Sequence, residues 1–238
     1  MSFALLMPAA GSGVRLSFDR PKALVEIAGA PMFIHAARPF LRHAQCVEAV
    51  VAAPAGWEPT FQTAADREWG KNRIRVVTGG ARRQDSVACA LDALNSDADI
   101  VLIHDAARPL VSEAVIARVL EALSESVAAA PVIPVVDTLK RMDRSGILET
   151  VDRTGLVAVQ TPQGIRRAAA EEAQRRARAA GFEGTDDVSL IERFALGAVK
   201  AVDGDPLNFK ITTGEDLALA QKLVELDAQR AGASAKNR

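Results

Sequence analysis

Through the first 135 residues, short apolar runs alternate with longer stretches in which apolar positions recur every three or four residues. The runs over 3–9, 47–53, 73–78, 99–105 and 127–135 read as strands, several of them apolar on both faces. That pattern suits parallel strands covered by helices on each side. Between them, 30–44, 82–96 and 112–125 carry helical periodicity, with Ser112 placed as an N-cap. A βαβ series of this kind predicts an α/β fold built on an open doubly wound, mostly parallel sheet.

The pattern breaks at 136–156, where "VDTLKRMDRSGILETVDRTGL" is charged and "RSG" marks a turn between two short strand-like runs. This predicts a β-arm projecting from the body, and an isolated hairpin of that length needs a surface to lie on. A strand over 157–162, helices over about 164–180 and 186–195, a strand over 197–202 and a closing helix from about 214 complete the chain. One domain, 1–238, with a dimerisation arm is the economical parse. The small, polar residues from about 228 predict a frayed tail.

At 238 residues with 49% hydrophobic positions, the chain can bury a substantial core. Its formal charge of −1 argues against a nucleic-acid binder, which carries a basic excess. No stretch approaches the roughly 18 apolar residues of a membrane span, and the N-terminus has no basic leader, so a cytoplasmic location is expected. Cys46 and Cys89 lack metal spacing and are expected as buried, reduced thiols.

In an open parallel sheet, ligands collect beyond the carboxyl ends of the strands. Residues 8–22, 79–86, 105–109 and 203–212 therefore carry the functional expectation, and each contains glycine, cation, hydroxyl or acid. "PAAGSGVRL" matches neither the ATPase P-loop, lacking Gly-Lys-Ser/Thr, nor the dinucleotide fingerprint, with Leu16 where a third glycine belongs. Its backbone N–H groups can still approach an anion, with Arg15 and Lys22 adding charge suited to a polyphosphate. "TGGARRQDS" opens a helix, whose free N–H groups favour an anionic or hydrogen-bonding ligand. Alternatively, Gly79–Gly80 is only a tight turn, with Arg82 and Arg83 solvated. Asp105 ends the most apolar strand and suits Mg²⁺ or a ligand hydroxyl, if it is not simply a turn residue. His104 points to the opposite face and reads as structural.

Jointly, "PAAGSGVRL" with "PKAL", "TGGARRQDSV", "HDAARPLV", "DTLKR", "TVDRTGL", "TPQGI", "GTDDVSLIE" and "NFKITTGEDLALA" resemble the 2-C-methyl-D-erythritol 4-phosphate cytidylyltransferase family over nearly the whole chain. The resemblance implies a Rossmann-like nucleotidyltransferase that transfers CMP from CTP to methylerythritol phosphate, using Mg²⁺ and releasing pyrophosphate. It implies catalytic roles for Arg15, Lys22, Arg153 and Lys210. Ala9, Ala10, Gly11, Ser12, Gly13, Gly80, Ser86, Asp105 and Ala106 would hold CTP, with Asp105 on the metal. Arg108, Thr138, Thr161 and Thr185 would surround the polyol phosphate. Arg153 and Thr138 lie on the predicted arm, which in the family crosses to a partner subunit, so a homodimer with shared sites follows. Ala81 and Phe209 depart from the family pattern, and neither removes a charge. A ribitol-5-phosphate cytidylyltransferase and a non-catalytic nucleotide-binding regulatory protein are the alternatives.

Overall fold

The computed structural model describes residues 1–11 and 19–236. Strand β1 (Phe3–Pro8) lies at the centre of the main sheet because alternate residues are buried on both faces. Two further β-strands, β2 (Glu26–Ile27) and β3 (Ala30–Pro31), make a small hairpin that leads into helix α1 (Met32–Arg42). Then come β4 (Cys46–Ala53), α2 (Glu58–Trp69), β5 (Arg75–Thr78), α3 (Arg83–Asp92), β6 (Ile100–Ile103), α4 (Glu113–Ala122) and β7 (Ala128–Pro134). Among the described residues, strands β8 (Leu139–Asp143) and β9 (Gly146–Val151) pair only with each other. The chain ends with β10 (Val157–Val159), β11 (Gln163–Arg166), α5 (Arg167–Ala180), α6 (Val188–Arg193), β12 (Val199–Asp203) and α7 (Gly214–Lys236).

Strands β5, β4, β1 and β6 run parallel in that order, so the direction of winding reverses between β1 and β6. Beyond β6, β11 runs antiparallel to both β6 and β7, and β12 continues parallel to β7. Strand alternation divides the core. Phe3, Leu5 and Met7 face α1, α2 and α4 in one layer, and Ala4 and Leu6 face α3, α5 and α6 in the other. Ser112 caps α4 as expected, accepting a bond from the Val115 N–H at 3.4 Å.

Several boundaries depart from the sequence reading. Helix α1 starts at Met32 because Ala30 and Pro31 are spent on the hairpin. The expected helix over 164–180 begins at Arg167, and the preceding four residues form β11. There Gly164 fits against Leu123, Val119 and Leu102, leaving no room for a side chain. Helix α7 runs to Lys236, past residue 228, in keeping with the high helix propensity of its alanines. Cys46 is buried, and that burial pushes its thiol up to about 11, whereas Cys89 is only half-buried. No helix among the described residues is long and apolar enough to cross a membrane.

Helix α2 has no counterpart in the sequence reading. Only Phe61 and Ala65 of its twelve residues are buried, too few to give a periodic signal. Phe61 packs against Phe33 with ring centroids 4.9 Å apart, so one ring carries most of the attachment. Phe61→Ala is therefore expected to cost about 3–5 kcal/mol in urea unfolding. Hydrogen exchange should show the loss concentrated in α2.

Candidate active site

A cavity of about 240 Å³ opens at the switch point between β1 and β6. It is lined by Pro8 to Gly11 after β1, Gly80 after β5, and Asp105 and Ala106 after β6, with Lys22 and Lys210 from the walls. Lys22 enters on a single 3-10 turn, Lys22–Leu24, and its ammonium donates to the Ile211 carbonyl. Four post-strand segments that looked separately ambiguous in sequence thus face one space. Ser12, Gly13 and Arg15 lie outside the described residues.

The glycine pair is required by close approach. A Cβ on Gly79 would stand 2.6 Å from the Ala10 Cβ, and one on Gly80 would stand 2.3 Å from the Asp85 Cβ. Their absence lets the start of α3 pack against the loop after β1. Buried Ser86 secures the turn, its Oγ accepting from the Gly80 N–H at 3.2 Å.

Asp105 is the electrostatic centre. Arg83 Nε donates to its Oδ1 at 2.9 Å, and Lys210 Nζ stands 2.9 Å from its Oδ2. Arg108 Nε lies 3.7 Å away. Burial opposes ionisation, but Arg83 and Lys210 outweigh it and hold the carboxyl well below the ordinary range. The other end of the Arg83 guanidinium donates to Asp187 Oδ2 at 2.7 Å, and here burial wins, raising the Asp187 carboxyl despite Arg83. Arg108 donates to the Asn208 carbonyl at 2.7 Å, which fixes the loop that carries Lys210.

Beneath the cavity lies a closed polar chain. The Arg108 carbonyl, 3.0 Å from His104 Nε2, can only accept, so Nε2 carries the proton and Nδ1 accepts from the Thr161 hydroxyl at 3.0 Å. Thr161 Oγ1 in turn accepts from the Asp105 N–H at 3.1 Å. Thr161, expected at the polyol, is placed under the floor instead, because its hydroxyl orients the strand ends that carry Asp105. His104 is structural, as its alternation implied, and Phe40 packs on it at 4.9 Å.

Thr185 lies in a second cavity of about 480 Å³, with Gln84, Glu183, Gly184, Asp186 and Asp187. Arg83 lines both cavities. The loop holding Thr185 is pinned by buried Gln163, whose Oε1 accepts from the N–H groups of Asp187 and Val188 at 2.8 and 3.0 Å. Arg83, Asp187 and Gln163 were not singled out from sequence. The adjacent acids in "GTDD" beside an apolar run were the available signal. Thr138 and Arg153 line neither cavity within one chain; Arg153 is exposed on the arm and donates to the carbonyls of Val135 and Val136.

Another cavity of about 280 Å³, at the opposite end of β4, is lined by polar groups already committed to the fold. Glu48 accepts from the Asn95 and Ser96 N–H groups, and Arg73 and Arg75 donate to the Leu41 and Ala93 carbonyls. Among the described residues, no three His, Cys, Asp or Glu side chains cluster as a metal cage. Asp105 is the carboxylate lining the first cavity, and it could hold Mg²⁺ together with phosphates and water if Lys210 leaves its Oδ2.

Burial lowers the His104 pKa from 6.5 to about 4, despite the bond to the Arg108 carbonyl. The unfolded chain thus takes up a proton near pH 6.5 that the folded chain refuses until about pH 4. This component of stability is full above pH 6.5 and falls by about 3 kcal/mol as the pH drops to 4. His104→Asn removes it. The stability advantage of wild type over the variant, read by urea unfolding, should shrink by that amount over the same pH range.

The profile of the 2-C-methyl-D-erythritol 4-phosphate cytidylyltransferase (IspD) family matches residues 3–226. The enzyme of that name from Salinibacter ruber is 44% identical over 220 residues, 92% of each chain. The one from Bacillus velezensis is 37% identical, covering 96% of this chain and 98% of its own. The crystal structure of the Thermus thermophilus enzyme superposes with a TM-score of 0.80 at 37% identity, covering 94% of this chain and all of its own. With its sheet order, its switch-point cavity and a match along nearly its whole length, the chain belongs to the 2-C-methyl-D-erythritol 4-phosphate cytidylyltransferase family.

Proposed function

We propose that this chain transfers CMP from CTP to 2-C-methyl-D-erythritol 4-phosphate, forming 4-diphosphocytidyl-2-C-methyl-D-erythritol and pyrophosphate in isoprenoid biosynthesis. The observation that carries the reading is the convergence of Lys22, Asp105 and Lys210 on one cavity floored by the backbone of Pro8 to Gly11. A phosphate oxygen of the polyol attacks the α-phosphorus of CTP, and the bond to the β-phosphate oxygen breaks as pyrophosphate leaves. The second pKa of a phosphate monoester, near 6, leaves the nucleophile largely ionised at neutral pH. No base is needed, which accords with a His104 sealed in structural bonds.

The barrier is chiefly electrostatic, because an anionic phosphate must approach a triphosphate. Lys22 faces the nucleotide phosphates, and Lys210 turns from Asp105 to the incoming phosphate. Asp105 would hold Mg²⁺, which supplies further neutralisation of the triphosphate. Ser86 and the Gly80 backbone border the base. Arg15, outside the described residues, is assigned to the α-phosphate on family resemblance. Losing one preorganised cation costs about 3–4 kcal/mol of barrier. Lys210→Met should therefore lower kcat by about 10²- to 10³-fold, measured as pyrophosphate release.

The working unit is a homodimer built through the β8–β9 arm, in the cytoplasm. The arm belongs to no larger sheet and exposes Met142, Ile147 and Leu148, an apolar surface that a second copy would cover. Arg153 and Thr138 would then complete the polyol site of the partner, with Thr185 on its second wall. Arg153→Ala should depress turnover far more than CTP affinity. Mixing Lys22→Ala and Arg153→Ala chains should recover activity through mixed dimers, and confirmed mixed dimers without recovery would refute shared sites. Parallel assays with ribitol 5-phosphate separate the closest alternative, which predicts faster turnover on that polyol.

A further inference from the structure

The two cavities are joined by one side chain. Arg83 donates through Nε to Asp105 at 2.9 Å on the nucleotide side and through its terminal nitrogen to Asp187 at 2.7 Å on the other. The two ends are not equivalent. Asp105 has Lys210 and Arg108 as further cations, whereas Arg83 is the one cation ion-paired with Asp187 among the described residues. The Asp187 side chain is 3% exposed and starts α6, directly after the loop that carries Thr185. Gln163 fixes the backbone of that start from beneath, and Gln84 of α3 holds the preceding residues, accepting from the Gly184 N–H at 2.9 Å and donating to the Phe182 carbonyl at 3.2 Å, so Arg83 is the ion pair that ties the Asp187 end of the loop to α3.

We propose that Arg83 is a positioning residue that couples the two substrates: gripping Asp187 against Asp105, it sets the Asp187 end of the second cavity's wall at the right distance from the nucleotide. This rests on the reading of Thr185 as part of the polyol site. A planar guanidinium suits the task because it holds two carboxylates at once in fixed directions, which a lysine ammonium on a flexible stem does not. The asymmetry of the partners decides where loss of Arg83 is felt. Asp105 keeps two cations and stays in place. Asp187 is left buried without a counter-ion, so the Asp187 end of the second cavity shifts while Gln84 still holds Gly184 and the first cavity keeps its shape. Displacement of a reacting group by about 1 Å can cost up to about 10²-fold.

The test uses the full chain with Arg83→Met, the double variant Arg83→Met/Asp187→Asn, and Thr185→Val. CTP affinity is measured by calorimetry, the KM for methylerythritol phosphate by pyrophosphate release, and Tm by thermal unfolding. Arg83→Met should lower Tm and raise the polyol KM by about 10- to 100-fold, with CTP affinity changed by less than about threefold. The double variant removes the stranded charge, so Tm should recover while the polyol KM stays high. Recovery of both in the double variant would reduce Arg83 to charge compensation and overturn the proposal, and so would CTP affinity falling as far as the polyol KM rises. If Arg83→Met does not fold, the double variant alone gives the same comparison. Thr185→Val tests the underlying reading separately: a raised polyol KM supports it, and an unchanged one removes the second cavity from the polyol site and the coupling with it.

Discussion

A carboxylate buried at the end of a strand is tolerated only if positive charge surrounds it, and Asp105 recruits that charge from three separate parts of the chain. Arg83 comes from the start of α3, Arg108 from the turn after β6, and Lys210 from the loop before α7. Their convergence fixes the relative positions of elements far apart in sequence. The same charges surround the space where a triphosphate would lie, so the ion pairs that stabilise the apo protein are the groups a polyphosphate would recruit. Arg108, whose carbonyl accepts from His104 while its guanidinium donates to the Asn208 carbonyl, ties this charged layer to the neutral chain below it.

The parts of the fold legible in sequence were those decided by local pattern. Residues 3–8 and 100–103 are apolar on both faces and could hardly be anything but central strands. Ser112 announces α4, and Gly146 closes the arm turn with φ at 132°. Where the deciding interaction was tertiary, pattern failed. Four residues before α5 look like its first turn, and only the slot between β6 and β7 makes them a strand. In the site, Gly80 and Asp105 pointed to the first cavity because each stands two residues past a strand, β5 and β6. The bonds of Thr161 to His104 and to the Asp105 N–H gave no sign in sequence, because their partners are 57 and 56 positions away. Arg83 was open to reading as a solvated cation because both its partners, 22 and 104 positions away, are visible only after folding.

The body and the arm follow different rules. In the body, each face of the sheet closes on its own layer of helices and leaves little exposed. The loop departure at Phe209 fits this logic, since its ring packs with Val25, Ile27 and Met32 beneath α7 and helps seat the segment that carries Lys210. Among the described residues, the arm's two strands join no other strand. The arm's apolar side chains, Met142, Ile147 and Leu148, stand exposed among charged neighbours.

Strand β11 lies between two strands that both precede it in the chain and that it alone joins in register. The facing edges of β6 and β7 therefore have no partner until residues 163–166 have been synthesised. The first half of the molecule can condense early around β1. The second half waits on a segment nearly sixty residues downstream of β6, and β7 waits longer still for β12 on its other edge, so unpaired strand edges are a hazard of this order of connection.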